Sequence, residues 1–460
     1  MWTATMNAPA NITTGSVATN QLLTAPILPT LLRLALPNTI AMLGSALVAV
    51  AETAYIGRLG IVPLAAIALA FPFTMLMQMT SAGAMGGSVS SAISRALGAG
   101  DRSRAATLAW HAAMIGVIGG IVFTLAMWLF GRSFFAWLGG RGAVLEEACA
   151  YADVLFAGAI SIWLVNTLAS IVRGTGDMRV PSATLLTVAL LQVVIGGTLG
   201  LGLGGVPQFG MRGVAAGQAI AYTLGTAFLI WYLMNGRSRL DLQTSKFAIQ
   251  RDMFFDILRV GAIASFSPLQ TVLTILVFTS IVASFGTEAL AGYGIGARLE
   301  FLLIPIAFAF GIASTPMVGM AIGAGLVSRA RRVAWTTGAA AALTVGLLGV
   351  IVAIKPTLWI SLFTTDPGVS AAASSYFAWA GPAFGFFGLG VALYFSAQGA
   401  ARVGGPVLAS TLRLLMVGIG GWWLAAMHAP AWALFALVGA AMVAFGLGTA
   451  AAVCFTRWGT

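Results

Sequence analysis

Charge is what this sequence has least of. Only 8% of its 460 residues are Asp, Glu, Lys or Arg and 59% are hydrophobic, whereas a soluble chain of this size carries about 25% charged residues. That scarcity excludes a soluble enzyme or binding module and indicates a membrane protein. Cysteine and histidine are nearly absent: Cys149 and Cys454 form no spacing motif, and His111 and His428 stand apart from them. A disulfide framework or zinc site is therefore not expected. An enzyme needs a nucleophile and base, paired acids or metal ligands meeting at one depth, and these residues do not supply them. The chain is read as a non-enzyme with no cofactor and no metal. No strand precedes "GIGG" or "GLGLGG", so neither is a phosphate loop. No basic cluster is interleaved with stacking aromatics, so nucleic acid is not an expected partner.

What the sequence has instead is apolar length. Stretches of twenty or more apolar residues recur throughout, each long enough to cross a hydrocarbon core about 30 Å thick. They are longer than barrel strands and do not alternate, which predicts an all-α membrane protein. Twelve spans are expected, near 31–57, 64–94, 105–131, 144–172, 180–203, 212–235, 253–284, 289–323, 331–354, 369–397, 406–427 and 430–455. The net charge is +11. Numbering the breaks puts sixteen basic residues on one side, among them Arg95, Arg104, Arg173 and Arg329, and only six on the other, with Arg413 inside the eleventh span. This bias predicts cytoplasmic N- and C-termini in a cell inner (plasma) membrane, with membrane lipid as a partner.

Sliding the sequence on itself by 225 to 226 residues superposes its breaks. "RALGAGDRSRA" (95–105) meets "MAIGAGLVSRA" (320–330), "RGTGDMRVP" (173–181) meets "QGAARVGGP" (398–406), and "RLGIVPLAA" (58–66) meets "SFGTEALAG" (284–292). An offset of six spans starts both halves on the same side, which predicts two parallel six-helix bundles. The expected organisation is a disordered tail over 1–28, an N-terminal bundle over 29–235, a cytoplasmic linker over 236–252 and a C-terminal bundle over 253–460. In transporters built this way the site lies between the halves.

The motifs carry a family resemblance. "LALPNTIAMLGSALVAVAETAYIGRLG", with a proline about four turns before an acid and a following "G-x-L-G", and "RGTGDMRVP" between spans four and five, resemble the multidrug and toxic compound extrusion (MATE) transporters over about residues 30 to 455. The resemblance implies a twelve-helix exporter that exchanges H+ or Na+ for cationic or amphipathic organic compounds and acts as a monomer. Glu52 falls where the family usually has Asp in its first helix. Gln192 and Gly196 fall where one branch has Asn and Asp, and the seventh span offers Gln270 and Thr271 where other members carry Glu. The tenth span also lacks the acid of Na+-coupled members. The coupling ion implied is H+, with Na+ less favoured.

The residues themselves point to Glu52. It lies 19 residues after Arg33, about 28 Å along a helix, within the apolar "ALVAVAETAY". A carboxylate at that depth is costly unless it faces an aqueous cavity or a partner, and an acid so placed can take up and release a proton. If protonation and organic-cation binding compete at Glu52, transport is coupled; alternatively Glu52 is an anchor reaching the outer headgroups. Pro37 lacks an amide N–H and is expected to kink the first helix. Tyr55, at i+3, shares the helix face of Glu52 within reach of a hydrogen bond to it, and is a candidate to line the substrate cavity. Glu300 opens the eighth span and is either an interfacial carboxylate beside Arg298 or a second protonation site. Asp177 is expected to hydrogen-bond the backbone of a tight turn.

Amides in lipid commonly join helices, but Asn166, Gln192, Gln270 and Gln398 are also candidates to line the substrate cavity. Trp163 and Tyr394 are candidate aromatic walls, and Met75 and Met79 are soft side chains suited to a promiscuous pocket. A flippase for lipid-linked sugars or peptidoglycan precursors is the alternative function. It would need several cationic side chains in the cavity, and only Arg413 is expected to lie deep.

Overall fold

The computed structural model describes residues 21–240, 242 and 249–459. The first 20 residues of the expected tail, and positions 241 and 243–248 of the expected linker, lie outside the described residues. Helices are α1 (Ile27–Leu59), α2 (Ile61–Gly98), α3 (Arg102–Trp137), α4 (Gly142–Ala157 and Ala159–Gly174, bent by 49°), α5 (Arg179–Leu201) and α6 (Gly210–Met234) in the first half. The second half has α7 (Arg251–Ala283), α8 (Thr287–Gly323), α9 (Val327–Ile354), α10 (Pro367–Gly399), α11 (Gly404–Ala426) and α12 (Ala431–Phe455). Eleven are individually long and apolar enough to cross a membrane, and the bent α4 pair supplies the twelfth. Among the described residues there is no strand, because lipid offers the backbone no partners and each span must satisfy its own. Large apolar side chains such as Leu47, Val50 and Leu343 point outward, as a lipid-facing surface allows.

The repeat is visible in the backbone. Left-handed turn residues recur in pairs: Gly60 with Gly286, Gly100 with Gly325, Gly176 with Ala401, and Gly202 with His428. The first and last pairs are 226 residues apart and the middle two 225. The extra residue between Gly60 and Gly100 falls in α2, where Met79–Met85 is π-helical. The extra residue between Ala401 and His428 falls in α11, where Met416–Gly420 is π-helical. A π-turn absorbs one residue without breaking the helix, so each copy took its insertion inside a span.

The two halves close on each other where α2 and α8 run toward the cytoplasmic side assigned by charge. A Cβ at Gly323 would lie 2.0 Å from the Arg95 carbonyl oxygen, and one at Gly98 would lie 2.1 Å from that of Met320; only glycine permits this approach. Gln398 Nε2 donates to the Ala84 carbonyl (2.6 Å), and Ser91 Oγ donates to the carbonyls of Gln398 (2.7 Å) and Gly399 (3.0 Å). Asp256 of α7 accepts from Arg95 Nη2 (2.6 Å) and Arg104 Nη2 (2.9 Å), tying α7 to α2 and α3.

One boundary differs from expectation. Residues 21–24 form a helical turn, Leu22 is buried, and α1 begins at Ile27, so the expected disorder does not extend over 21–28. Arg329 of α9 supplies the reason, since its Nη2 donates to the carbonyls of Leu22 (3.0 Å) and Ala25 (2.5 Å).

Candidate functional site

A cavity of about 360 Å³ lies within the first half and against α8. Glu52 of α1, Gln78 of α2, Asn166 and Arg173 of α4, Gln192 of α5 and Tyr222 of α6 bring polar groups to its wall, while Phe308 and Ile312 of α8 close it from the second half. The Glu52 carboxylate accepts from Gln192 Nε2 at 2.8 Å, and its other oxygen, Oε1, has no hydrogen-bond partner. Around it runs a relay of neutral groups. Asn166 Nδ2 donates to Gln78 Oε1 (3.1 Å) and Ser81 Oγ (2.8 Å), and Gln78 Nε2 donates to Tyr222 Oη (2.7 Å). Three helices, α2, α4 and α6, therefore share one amide network on the wall of the cavity that holds Glu52.

Tyr55 is near Glu52 without bonding it. Its hydroxyl has no partner, and its ring lies over α5, where a Cβ at Gly196 would sit 3.0 Å from the hydroxyl oxygen. The i+3 spacing places the residue correctly, but the space left by Gly196 and Gly197 draws the ring toward α5. The expected hydrogen bond is replaced by packing.

A second, smaller cavity of about 60 Å³ lies in the other half, lined by Tyr394, Arg413, Phe387 and Phe445 and by Met75 and Met79 from α2. Met79, Gly83 and Phe308 border both cavities. Tyr394 Oη donates to the Ala264 carbonyl at 3.1 Å. Arg413 lies over Phe387 and Phe445, 5.3 and 5.7 Å from their centroids. Glu300 is not an interfacial acid beside Arg298. Thirteen residues into α8 (about 20 Å along the helix), it accepts from Tyr376 Oη and interacts electrostatically with Arg413. Arg298 turns instead over the Phe363 ring, 5.0 Å from its centroid.

Four candidates line neither cavity: Tyr55, and three that turn away from both. Trp163 is buried between α4 and α3, with Phe123 5.7 Å from it, because Gly119 leaves room there: a Cβ at Gly119 would lie 2.4 Å from the indole. Gln398 is spent in the seam between the halves. Gln270 donates to Thr411 Oγ1 at 2.7 Å, joining α7 to α11. Asn166, Gln192 and Tyr394 do line cavities. Arg173, counted among the cytoplasmic charges, is 6% exposed and on the cavity wall, a role its depth in the sequence did not reveal. Asp177 accepts from the Arg179 N–H at 2.9 Å, the turn role expected of it.

Two bundles of repeated helices, a polar cavity and a closed seam between the halves define a multi-pass membrane transporter. The MatE family model matches residues 37–198 and 264–424, one segment in each half, and the chain belongs to that family. It is 26% identical over 346 residues to the probable multidrug resistance protein NorM of Thermotoga maritima, covering 74% of this chain and 73% of that one. It is 27% identical over 353 residues to a FAD transporter of Shewanella oneidensis, covering 76% and 77%. Among solved structures, an outward-facing multidrug resistance MATE transporter superposes with a TM-score of 0.84 at 24% identity, covering 95% of this chain and 96% of that one.

Proposed function

We propose that this protein exports cationic or amphipathic organic compounds across the inner membrane in exchange for protons, by alternating access, as a single chain with both termini cytoplasmic. The observation that carries the reading is Glu52, a carboxylate on the wall of the larger cavity, held by Gln192 through one oxygen and unpaired at the other. With the cavity open outward, proton uptake by Glu52 neutralises it and releases a cation. Loss of that proton toward the cytoplasm restores a carboxylate that attracts the next one. Coupling requires only that proton and cargo compete for one group. Multidrug transporters among the relatives support the cargo class. A proton suits the site better than Na+, since among the described residues Glu52 is the only carboxylate on this cavity wall, which also carries the Arg173 guanidinium.

The flippase alternative needs several cationic groups along the path of an anionic headgroup. The two cavities contribute one arginine each, Arg173 and Arg413, and Arg413 is occupied by two rings and Glu300. Export of organic cations is therefore favoured. The test is uptake of a fluorescent organic cation into inside-out vesicles under an imposed proton gradient. Wild type should accumulate the dye and well-expressed Glu52→Gln should not; equal uptake by both would move coupling away from Glu52, with Glu300 the next residue to substitute.

A further inference from the structure

The proposed cycle makes no use of Arg173. This side chain ends α4, is 6% exposed, and stands where the cavity that holds Glu52 narrows into a recess lined by Gly86, Gly87, Ser90 and Ser170. Its Nε has no hydrogen-bond partner. No carboxylate pairs with it among the described residues, whose ion pairs use Arg95, Arg104 and Arg132 instead. The Ser90 hydroxyl in the same recess is 4% exposed and also unpartnered. A buried guanidinium without a counter-charge is strongly disfavoured, and its planar fork of donors matches a carboxylate or phosphate edge.

The repeat separates this role from a structural one. At the 225-residue offset, Arg173 corresponds to Gln398. That glutamine secures the seam by donating to the carbonyl of Ala84 and to Ser88 Oγ (3.2 Å). An uncharged amide is thus enough to join the halves at this position, and the first copy carries instead a cation with no ion pair among the described residues.

We propose that Arg173, with the Ser90 hydroxyl beside it, is an anion subsite at the inner end of the larger cavity, which takes a carboxylate or phosphoryl group of an organic substrate. The subsite extends the export reading above, because a substrate seated there reaches past Asn166, two helical turns (about 10 Å) before Arg173 on α4, toward Glu52. Zwitterionic compounds, with a cation near Glu52 and an oxyanion at Arg173, are the substrate class that uses both ends. A phospholipid phosphate offers the same oxyanion from a different source.

The experiment measures binding of one xanthene dye in two forms, the cationic methyl ester and the free acid, to the full chain in phosphatidylcholine nanodiscs by fluorescence polarisation. Arg173→Gln should weaken the acid tenfold or more and leave the ester within twofold, with Arg173→Lys intermediate and Ser90→Ala a few-fold weaker for the acid alone. Inorganic phosphate should displace the acid, and not the ester, from wild type, a readout that needs no variant to fold. Equal loss of both dyes in Arg173→Gln, no loss of either, or no displacement by phosphate would overturn the subsite. Phosphate-free maltoside micelles with and without added phosphatidylglycerol distinguish the sources: acid binding that the added lipid weakens in wild type but not in Arg173→Gln assigns the subsite to lipid phosphate, and no change assigns it to soluble substrates. If the ester binds no form of the protein while the acid binds through Arg173, the organic-cation reading fails and the subsite stands.

Discussion

Replacing Asp256 with Asn tests how the seam between the halves is held. The carboxylate carries two guanidinium contacts, Arg95 at 2.6 Å and Arg104 at 2.9 Å, and thereby ties α7 of the second half to α2 and α3 of the first. The Arg104 side chain is 44% exposed, which limits its contact to well under about 1 kcal/mol. Arg95, at 16% exposed, also donates to Ser91 Oγ, which in turn donates to the carbonyls of Gln398 and Gly399, so its loss acts on both sides of the seam. A fully buried pair broken on one side costs about 3 to 5 kcal/mol, and partial exposure brings this site to about 1 to 3 kcal/mol. If these contacts exist only in the closed seam, the balance between closed and open forms shifts about 5- to 150-fold. The readout is modification of Ser94→Cys, a fully buried position packed on Gly319, by a membrane-impermeant maleimide in inside-out vesicles, with Cys149 and Cys454 replaced by Ser. Asp256→Asn should raise the modification rate by that factor. An unchanged rate, with the protein correctly inserted, would refute the assignment of this ion-pair cluster as a latch.

Gln192→Leu removes the one hydrogen bond that Glu52 accepts, and a bond to a charged group is worth about 1.5–3 kcal/mol; proton-driven dye uptake should fall about tenfold or more at unchanged expression, which vesicle flux measures directly. Trp163→Ala should cost about 3 kcal/mol of stability, seen as a lower unfolding temperature in detergent, while the relative uptake of different dyes stays as in wild type because the indole lies outside both cavities. Tyr376→Phe removes the hydroxyl that donates to Glu300; if the pair acts as a unit, the double variant with Glu300→Gln should transport no more slowly than Glu300→Gln alone, a non-additivity that a double-mutant cycle reports.

The spans, their number and the repeat were legible in the sequence because they depend on length, apolarity and turn residues, which a one-dimensional pattern retains. The direction in which a side chain points within a span was not. A helix that is apolar all round carries no stripe to orient it, so Trp163 and Gln398 could not be told from cavity residues, and Arg173 could be placed by depth but not by face. Partners supplied by glycine were equally hidden: the gaps at Gly119 and at Gly196 and Gly197 decide where Trp163 and Tyr55 lie, yet each belongs to a helix distant in sequence. Glu52 was legible as an anomaly in an apolar run. Gln192 was singled out through the MATE resemblance and as an intramembrane amide, but its contact with Glu52, 140 residues away, was not legible because it depends on the packing of α1 against α5.

The paired turns also speak to ancestry. A single six-helix unit joined end to end with its copy accounts for four matching left-handed corners, and each copy has since gained a residue the other lacks, at Met79–Met85 in one and Met416–Gly420 in the other. Both gains lie in helices that border the smaller cavity, and the first reaches the larger one as well. At the offset set by Gly60 and Gly286, Glu52 corresponds to Phe278, a buried ring against Tyr293. Descent from a common unit thus left the two copies alike at their corners and unlike in their interiors, so an acid that one half needs is a hydrocarbon ring in the other, and exchanging the halves would not regenerate the same protein.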